Sequence, residues 1–247
     1  MKVNKITFSA PNNLEKYLKD VLPVPIKTNI PEWFKKLNHT MEKNTVKGCM
    51  PFLDALTAGY LLKMPQDLYI KHNVWNEKLK KYDSFFRYSI QTDSSTLNLN
   101  DSLSSQIHQP QQLEGSPLVE KNGGDLPFYK ILNPFHIKTP PGYSCLFTSP
   151  MNNKDDRFEI IPGIVDTDKF DIEINFPFVI NNDKYPNLET TIERGTPYVQ
   201  IIPFKRDDWK MNVVFEKRNT SKFWQNPFLK KLIHNYRTFF WSKKKWM

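Results

Sequence analysis

The chain has 247 residues, with 35 Lys and Arg against 26 Asp and Glu and a formal net charge of +9. That length suits one sizeable domain or two small ones, and 19 prolines against 8 glycines argue for extended segments and irregular turns over a helical bundle. A basic body of the kind that covers nucleic acid is excluded: positions 217–247 hold nine Lys and Arg and no acid, which leaves 26 basic and 26 acidic residues before them.

From the N-terminus the pattern is first helical. Asn12 or Asn13 can cap a short helix in which Leu14, Tyr17, Leu18 and Val21 follow helical spacing, with Pro23 and Pro25 as its stop. A second helix is expected from Pro31, with Trp33, Phe34 and Leu37 on its apolar side, because the missing amide of a proline costs nothing at the first helical position. A third, PFLDALTAGY, starts at Pro51 and has Gly59 placed as its terminator. Positions 1–60 are therefore read as helical elements around a β core at 61–91 and 128–215.

From Leu61 the segments LLKMPQDLYIKHNVW and KKYDSFFRYSIQ carry the β-branched and aromatic residues of strands, without clean alternation. The stretch 92–125 is polar and of low complexity, and it is expected as a long surface loop or insertion. In DIEINFPFVI, the residues Ile172, Ile174, Phe176, Phe178 and Ile180 share one face of a strand, and Pro177 predicts a strand edge or a bulge. YVQIIPF and MNVVFEK read as further strands. After Pro227, the residues Phe228, Leu229, Leu232, Ile233, Tyr236, Phe239 and Phe240 make the apolar stripe of a basic amphipathic C-terminal helix within 216–247.

No early apolar run resembles a signal peptide, and no run of about 20 apolar residues is long enough to span a bilayer. The two cysteines, Cys49 and Cys145, have no CxxC partner. They are expected as buried reduced thiols in a soluble cytoplasmic protein. His39, His72, His108, His136 and His234 show no HxH or HxxxH spacing, so no metal site is predicted. Asp54 reads as a solvated or capping carboxylate, with a site shared with Asp67 or Asp166 as the alternative. KFWQNPFLKKLIHNYRTFFWSKKKW mixes aromatic with basic residues, the ingredients of a single-strand nucleic-acid surface carried by Lys230, Lys231, Arg237, Lys243, Lys244 and Lys245. FKRDDWK alternates charges and reads as a surface salt-bridge segment.

Between Thr139 and Phe204 the order PPGY, GIVDTD, an alternating strand, and GTPYVQII resembles the dUTPase and dCTP deaminase-like fold. The resemblance implies a mainly β (α+β) protein with a small β-barrel or jelly-roll core, and a homotrimer. It maps Asp166 onto the family's water-orienting carboxylate, a catalytic role. Lys169 stands in place of the family tyrosine that packs on deoxyribose. Pro150 and Met151 stand where the family has a phosphate-binding Arg-Ser pair, and the Gly-rich C-terminal arm is missing. A hydrolase built this way would need Lys138, Arg157 or Lys169 as replacement ligand-binding residues, with Mg as the only cofactor to consider; otherwise no cofactor is expected. Across nearly all its length the chain also resembles a group of proteins of similar size from tailed bacteriophages and some bacteria, through GCMPFLDALTAGY, NPFHIKTPPGYSCLFTSPMN, GIVDTD, INFPF and RGTPYVQIIPFKRDDWKM. That group has no assigned activity. The second resemblance implies a phage protein of the host cytoplasm, or a virion component, whose partner is a phage or host protein. The leading expectation is a non-enzymatic binding or assembly protein, followed by a nucleotide hydrolase using Asp166 and by a nucleic-acid-associated protein acting through its tail.

Overall fold

Prolines and one glycine fix the N-terminal layer of the computed structural model, which describes residues 4–40, 42–88, 107–215 and 235–247. Strand β1 (Thr7–Ser9) leads through a 3-10 turn at Asn12–Leu14 into helix α1 (Glu15–Leu18), and Leu14, Leu18 and Val21 enter the core. Neither asparagine caps it: Pro11 precedes the turn and no side chain accepts a hydrogen bond there. Strand β2 (Val24–Pro25) is followed by α2 (Glu32–Lys36), which starts after Pro31 and buries Phe34, while Trp33 is exposed, against the expected apolar side. Helix α3 (Met50–Thr57) carries Pro51 in its first turn. Gly59 has φ +73°, and a Cβ there would stand 1.9 Å from the Ile201 carbonyl oxygen. Only glycine lets α3 turn into the sheet at this point.

The predicted strands follow as β3 (Tyr60–Lys63), β4 (Leu68–Asn76) and β5 (Lys81–Tyr88). The β4–β5 register shifts between Lys71 and Val74, and Asn73 sits there at φ 51°. A bulge adds one residue and inverts the in–out order beyond it, which is why the sequence alternation looked broken. Of the expected polar loop, 92–106 lie outside the described residues. The rest is not a loop: it forms β6 (Ile107–His108), a 3-10 turn at Pro110–Leu113 and α4 (Pro117–Lys121), capped by the Ser116 hydroxyl. Asn122 is fully buried, donating to the carbonyls of Leu126 at 3.2 Å and Pro127 at 3.1 Å and accepting from the Ile180 amide at 3.0 Å. A polar side chain with every bond made can be buried, so polarity alone does not place Asn122 at the surface.

Strands β7 (Phe128–Ile131), β8 (His136–Lys138), β9 (Tyr143–Thr148), β10 (Phe158–Ile160), β11 (Gly163–Val165), β12 (Phe176–Ile180), β13 (Leu188–Ile192) and β14 (Pro197–Lys205) complete the sheets, and α5 (Asn235–Phe239) precedes the C-terminus. Strand β12 is shorter than its sequence pattern: Ile172 is exposed and Val179 is buried alongside Phe178. It is also a central strand, between β10 and β7. Pro177 is tolerated there because its carbonyl, and hence its nitrogen, faces Ile161, just beyond the last residue of β10. The predicted MNVVFEK strand is not formed over its described part, Met211–Phe215, which is irregular and exposed. Of the expected C-terminal stripe, Phe228–Ile233 lie outside the described residues, and Tyr236, Phe239 and Phe240 are about half exposed.

Among the described residues the sheets run β11-β9-β14-β3-β2, β10-β12-β7-β6, β13-β4-β5 and β1-β8. Every pairing is antiparallel and none of the sheets closes into a barrel, so the chain is mainly β with open sheets. Phe176 of β12 meets Phe147 of β9 at 5.4 Å and Tyr198 of β14 at 5.7 Å, so the five- and four-stranded sheets face each other. Phe86 of β5 reaches Tyr129 of β7 at 4.8 Å and joins the third sheet to the same core. Each such buried ring contributes roughly 1.5–3 kcal/mol. Both cysteines are free; Cys145 is buried, which pushes its thiol up to about 11, but Cys49 is exposed, contrary to expectation. No helix among the described residues is long and apolar enough to cross a membrane.

Candidate functional site: the Asp166 corner and two clefts

The residues GIVDTD and PPGYS meet where β11, β9 and the end of β14 come together. After two prolines, Gly142 takes φ +84° and closes the turn, with the Tyr143 amide 3.2 Å from the Pro140 carbonyl oxygen. The Gly142 amide donates to Asp168 Oδ2 at 2.7 Å. Behind the turn the hydroxyls of Thr139 and Thr167 are 2.7 Å apart, and the Thr139 amide reaches the Thr167 carbonyl at 3.3 Å. Arg206, the first residue after β14, locks the corner. Its amide donates to the Gly142 carbonyl at 2.8 Å, and its Nη1 donates to the Tyr143 carbonyl and the Ser144 hydroxyl at 3.0 Å and to Asp168 Oδ1 at 2.8 Å. Its Nη2 donates to Asp168 Oδ2.

The side chain of Asp168 is only 6% exposed. The Arg206 hydrogen bonds, with the Gly142 amide, hold its carboxyl well below the usual carboxylate range. Asp166 differs: its side chain is 51% exposed, the Ser144 hydroxyl donates to Oδ1 at 2.6 Å, and Arg206 Nη1 lies 3.2 Å away. The Ser144 bond first, then the Arg206 charge, lower its pKa. A carboxylate held ionised this way accepts hydrogen bonds and attracts cations, and it is a weaker proton acceptor than a base poised near neutral pH. Asp166 and Lys169 line one shallow cleft of about 500 Å³ with Ile164, Val165 and Phe170.

The other sequence candidates are not part of this cleft. Lys138 donates to Asp171 at 3.2 Å, where His136 also approaches at 3.3 Å. Arg157 is occupied by Asp155, by the Thr190 hydroxyl at 2.9 Å and by the Thr191 carbonyl at 3.1 Å, and so cross-links the start of β10 to β13. Lys230 and Lys231 lie outside the described residues. Arg237, Lys243 and Lys245 are exposed. Lys244 donates to Asp54 at 2.5 Å beside the Trp241 indole at 2.9 Å, and the Tyr60 hydroxyl donates to the Met247 carbonyl at 3.1 Å. Asp54 on α3 and Tyr60 on β3 thus anchor the last residues of the sequence. Asp67 accepts from the Arg194 amide at 2.6 Å. Among the described residues no group of three His, Cys, Asp or Glu side chains is arranged to hold a metal ion.

Pro150 and Met151 line a second, larger cleft of about 620 Å³, with Trp33, Asn153, Lys154 and Glu159 around it. Gln200, fully buried, supports its floor: Nε2 donates to the carbonyls of Ala55 and Ala58 at 2.9 and 2.8 Å, and Oε1 accepts from the Met151 amide at 2.8 Å. The Met151 amide is therefore already engaged.

Sequence reasoning missed Ser144, Asp168, Gln200 and Arg206. The second carboxylate of GIVDTD was the available signal for Asp168. Arg206 was hidden inside FKRDDWK: Lys205 and Asp207 do form the expected surface pair, at 2.5 Å, while the arginine between them turns inward. No family model matches the chain, and no curated protein matches it.

Proposed function

We propose that the chain is a non-enzymatic binding or assembly protein of a bacteriophage, active in the host cytoplasm and built on a dUTPase-like β scaffold. In support of the scaffold, the segments that carry the resemblance fall on neighbouring strands, β9 between β11 and β14, with the PPGY turn against GIVDTD. The observation that carries the functional reading is the commitment of the corner: Arg206 is spent on Asp168, Tyr143 and Ser144. Asp166 is left with Lys169 as the one described basic side chain lining its cleft. A triphosphate brings several negative charges, and one exposed lysine beside the Asp166 carboxylate does not match them.

The test is incubation of the full chain with a panel of nucleoside triphosphates, with and without Mg. No pyrophosphate release by the wild type is expected. Release that disappears in Asp166→Asn would overturn the reading in favour of a hydrolase. The tail's Trp241 and Lys244 are turned to Asp54, which favours packing on its own body over a nucleic-acid surface; salt-dependent single-stranded DNA binding lost on removing residues 235–247 would reverse that choice.

A further inference from the structure

Strand β14 ends at Lys205 and Arg206 is pinned to the corner, but the residues after it leave the body uncovered. Trp209 is 91% exposed, Met211 85%, Val213 66% and Phe215 97%. They occupy every second position, alternating with Lys210, Asn212 and Val214. That is the pattern of a strand with one apolar face, and among the described residues no sheet takes it up. A continuous apolar row of this kind marks an interaction surface.

The same chain carries an unpaired sheet edge. Strand β11 is the end of the five-stranded sheet and pairs only with β9 among the described residues. Beside that edge Ile164 is 65%, Phe170 38% and Ile172 62% exposed, and Ile164 and Phe170 line the Asp166 cleft. In its own chain the arm leaves this edge bare.

We propose that residues 209–215 of one copy add as a strand to the free edge of β11 of a second copy, laying Trp209, Met211, Val213 and Phe215 over Ile164 and Phe170. Backbone hydrogen bonds to the edge supply the pairing and the alternating apolar side chains supply the register. Asp208 at the root of the arm and Lys169 at the rim of the cleft carry opposite charges, which suits the same approach. Each copy gives one arm and receives one, so in a closed assembly no copy is left with a free arm or a free edge. The inference rests on the assembly reading above and names its contact.

The experiment is light scattering on the full chain at micromolar concentration, with circular-dichroism melts as a folding control. One variant carries Trp209→Asp with Phe215→Asp, and the other carries Ile164→Asp. All three positions are solvent-exposed, so both variants fold. The wild type is expected as a closed oligomer and each variant alone as a 29.2 kDa monomer. An equimolar mixture is expected to give a dimer of twice that mass, because one partner keeps the arm and the other keeps the edge. A monomeric wild type, an unchanged oligomer in either variant, or a mixture that stays monomeric overturns the proposal. Nucleotide hydrolysis would overturn the non-enzymatic reading without altering these masses, so the two failures are distinguishable.

Discussion

Arg206 and Trp209 stand three residues apart on the same run of chain, and they are in opposite situations. Arg206 makes polar contacts to Gly142, Tyr143, Ser144 and Asp168, while Trp209 and the apolar residues that alternate after it touch mostly solvent. The corner is built as a finished piece of the fold, with a nearly buried carboxylate that needs its arginine. The arm has the pattern of an unfinished strand, apolar on one side and without a sheet among the described residues. Stability and interaction are thus separated along one strand and its continuation, and substitutions on either side should act on different observables.

The largest effect is expected at the corner. Arg206→Met leaves the Asp168 carboxylate without its main partner, and its melting temperature should drop more than that of any other variant named here, with no requirement for assembly. Gln200→Leu strands the Met151 amide and two carbonyls and should cost about 3 kcal/mol of unfolding free energy, read from the shift of a urea midpoint. Trp209→Ala, by contrast, should move the monomer's stability by less than about 0.5 kcal/mol while weakening self-association.

Titration separates the regions again. His72 is fully buried on β4, opposite Leu188, and burial lowers its pKa, with Asn182 offsetting part of the shift. Folded His72 therefore stays neutral at a pH where the unfolded chain takes up a proton. Stability is unaffected by this group above about pH 6.5 and falls below it, by up to about 1.4 kcal/mol per pH unit. The carboxyls of Asp166, Asp168 and Asp171 are shifted down. Their stabilisation is present above their unfolded range near pH 4 and is lost only as pH falls further. A first decline setting in below about pH 6.5 that disappears in His72→Phe, followed by a second below about pH 4 that does not, is the expected profile.

Local chemistry made much of the fold legible. Pro31, Pro51 and Gly59 marked helix boundaries because their backbone constraints act without reference to the rest of the chain. β14 was legible because Tyr198, Val199 and Ile201 sit in an apolar run interrupted only by Gln200. What failed depended on partners far away in sequence. Asn122 looked like loop because nothing nearby announces that Ile180, 58 residues on, will satisfy it. Pro177 looked like an edge because only the end of β10 makes room for it. MNVVFEK looked like a strand, and its alternation is real, but the sheet that would complete it is not supplied by the described residues. At the site, Asp166 and Lys169 line one cleft, whereas Lys138 is paired with Asp171 and Arg157 with Asp155, partners that charge alone does not announce in the sequence.

Hydrogen–deuterium exchange of the full chain as a function of its own concentration tests the assembly account most directly. The account predicts that amides 209–215 exchange freely at low concentration and become protected together with those of 163–165 as concentration rises, while the corner at 142–144 is protected throughout. Protection of 209–215 that does not change with concentration, or that appears without any change at 163–165, would contradict it.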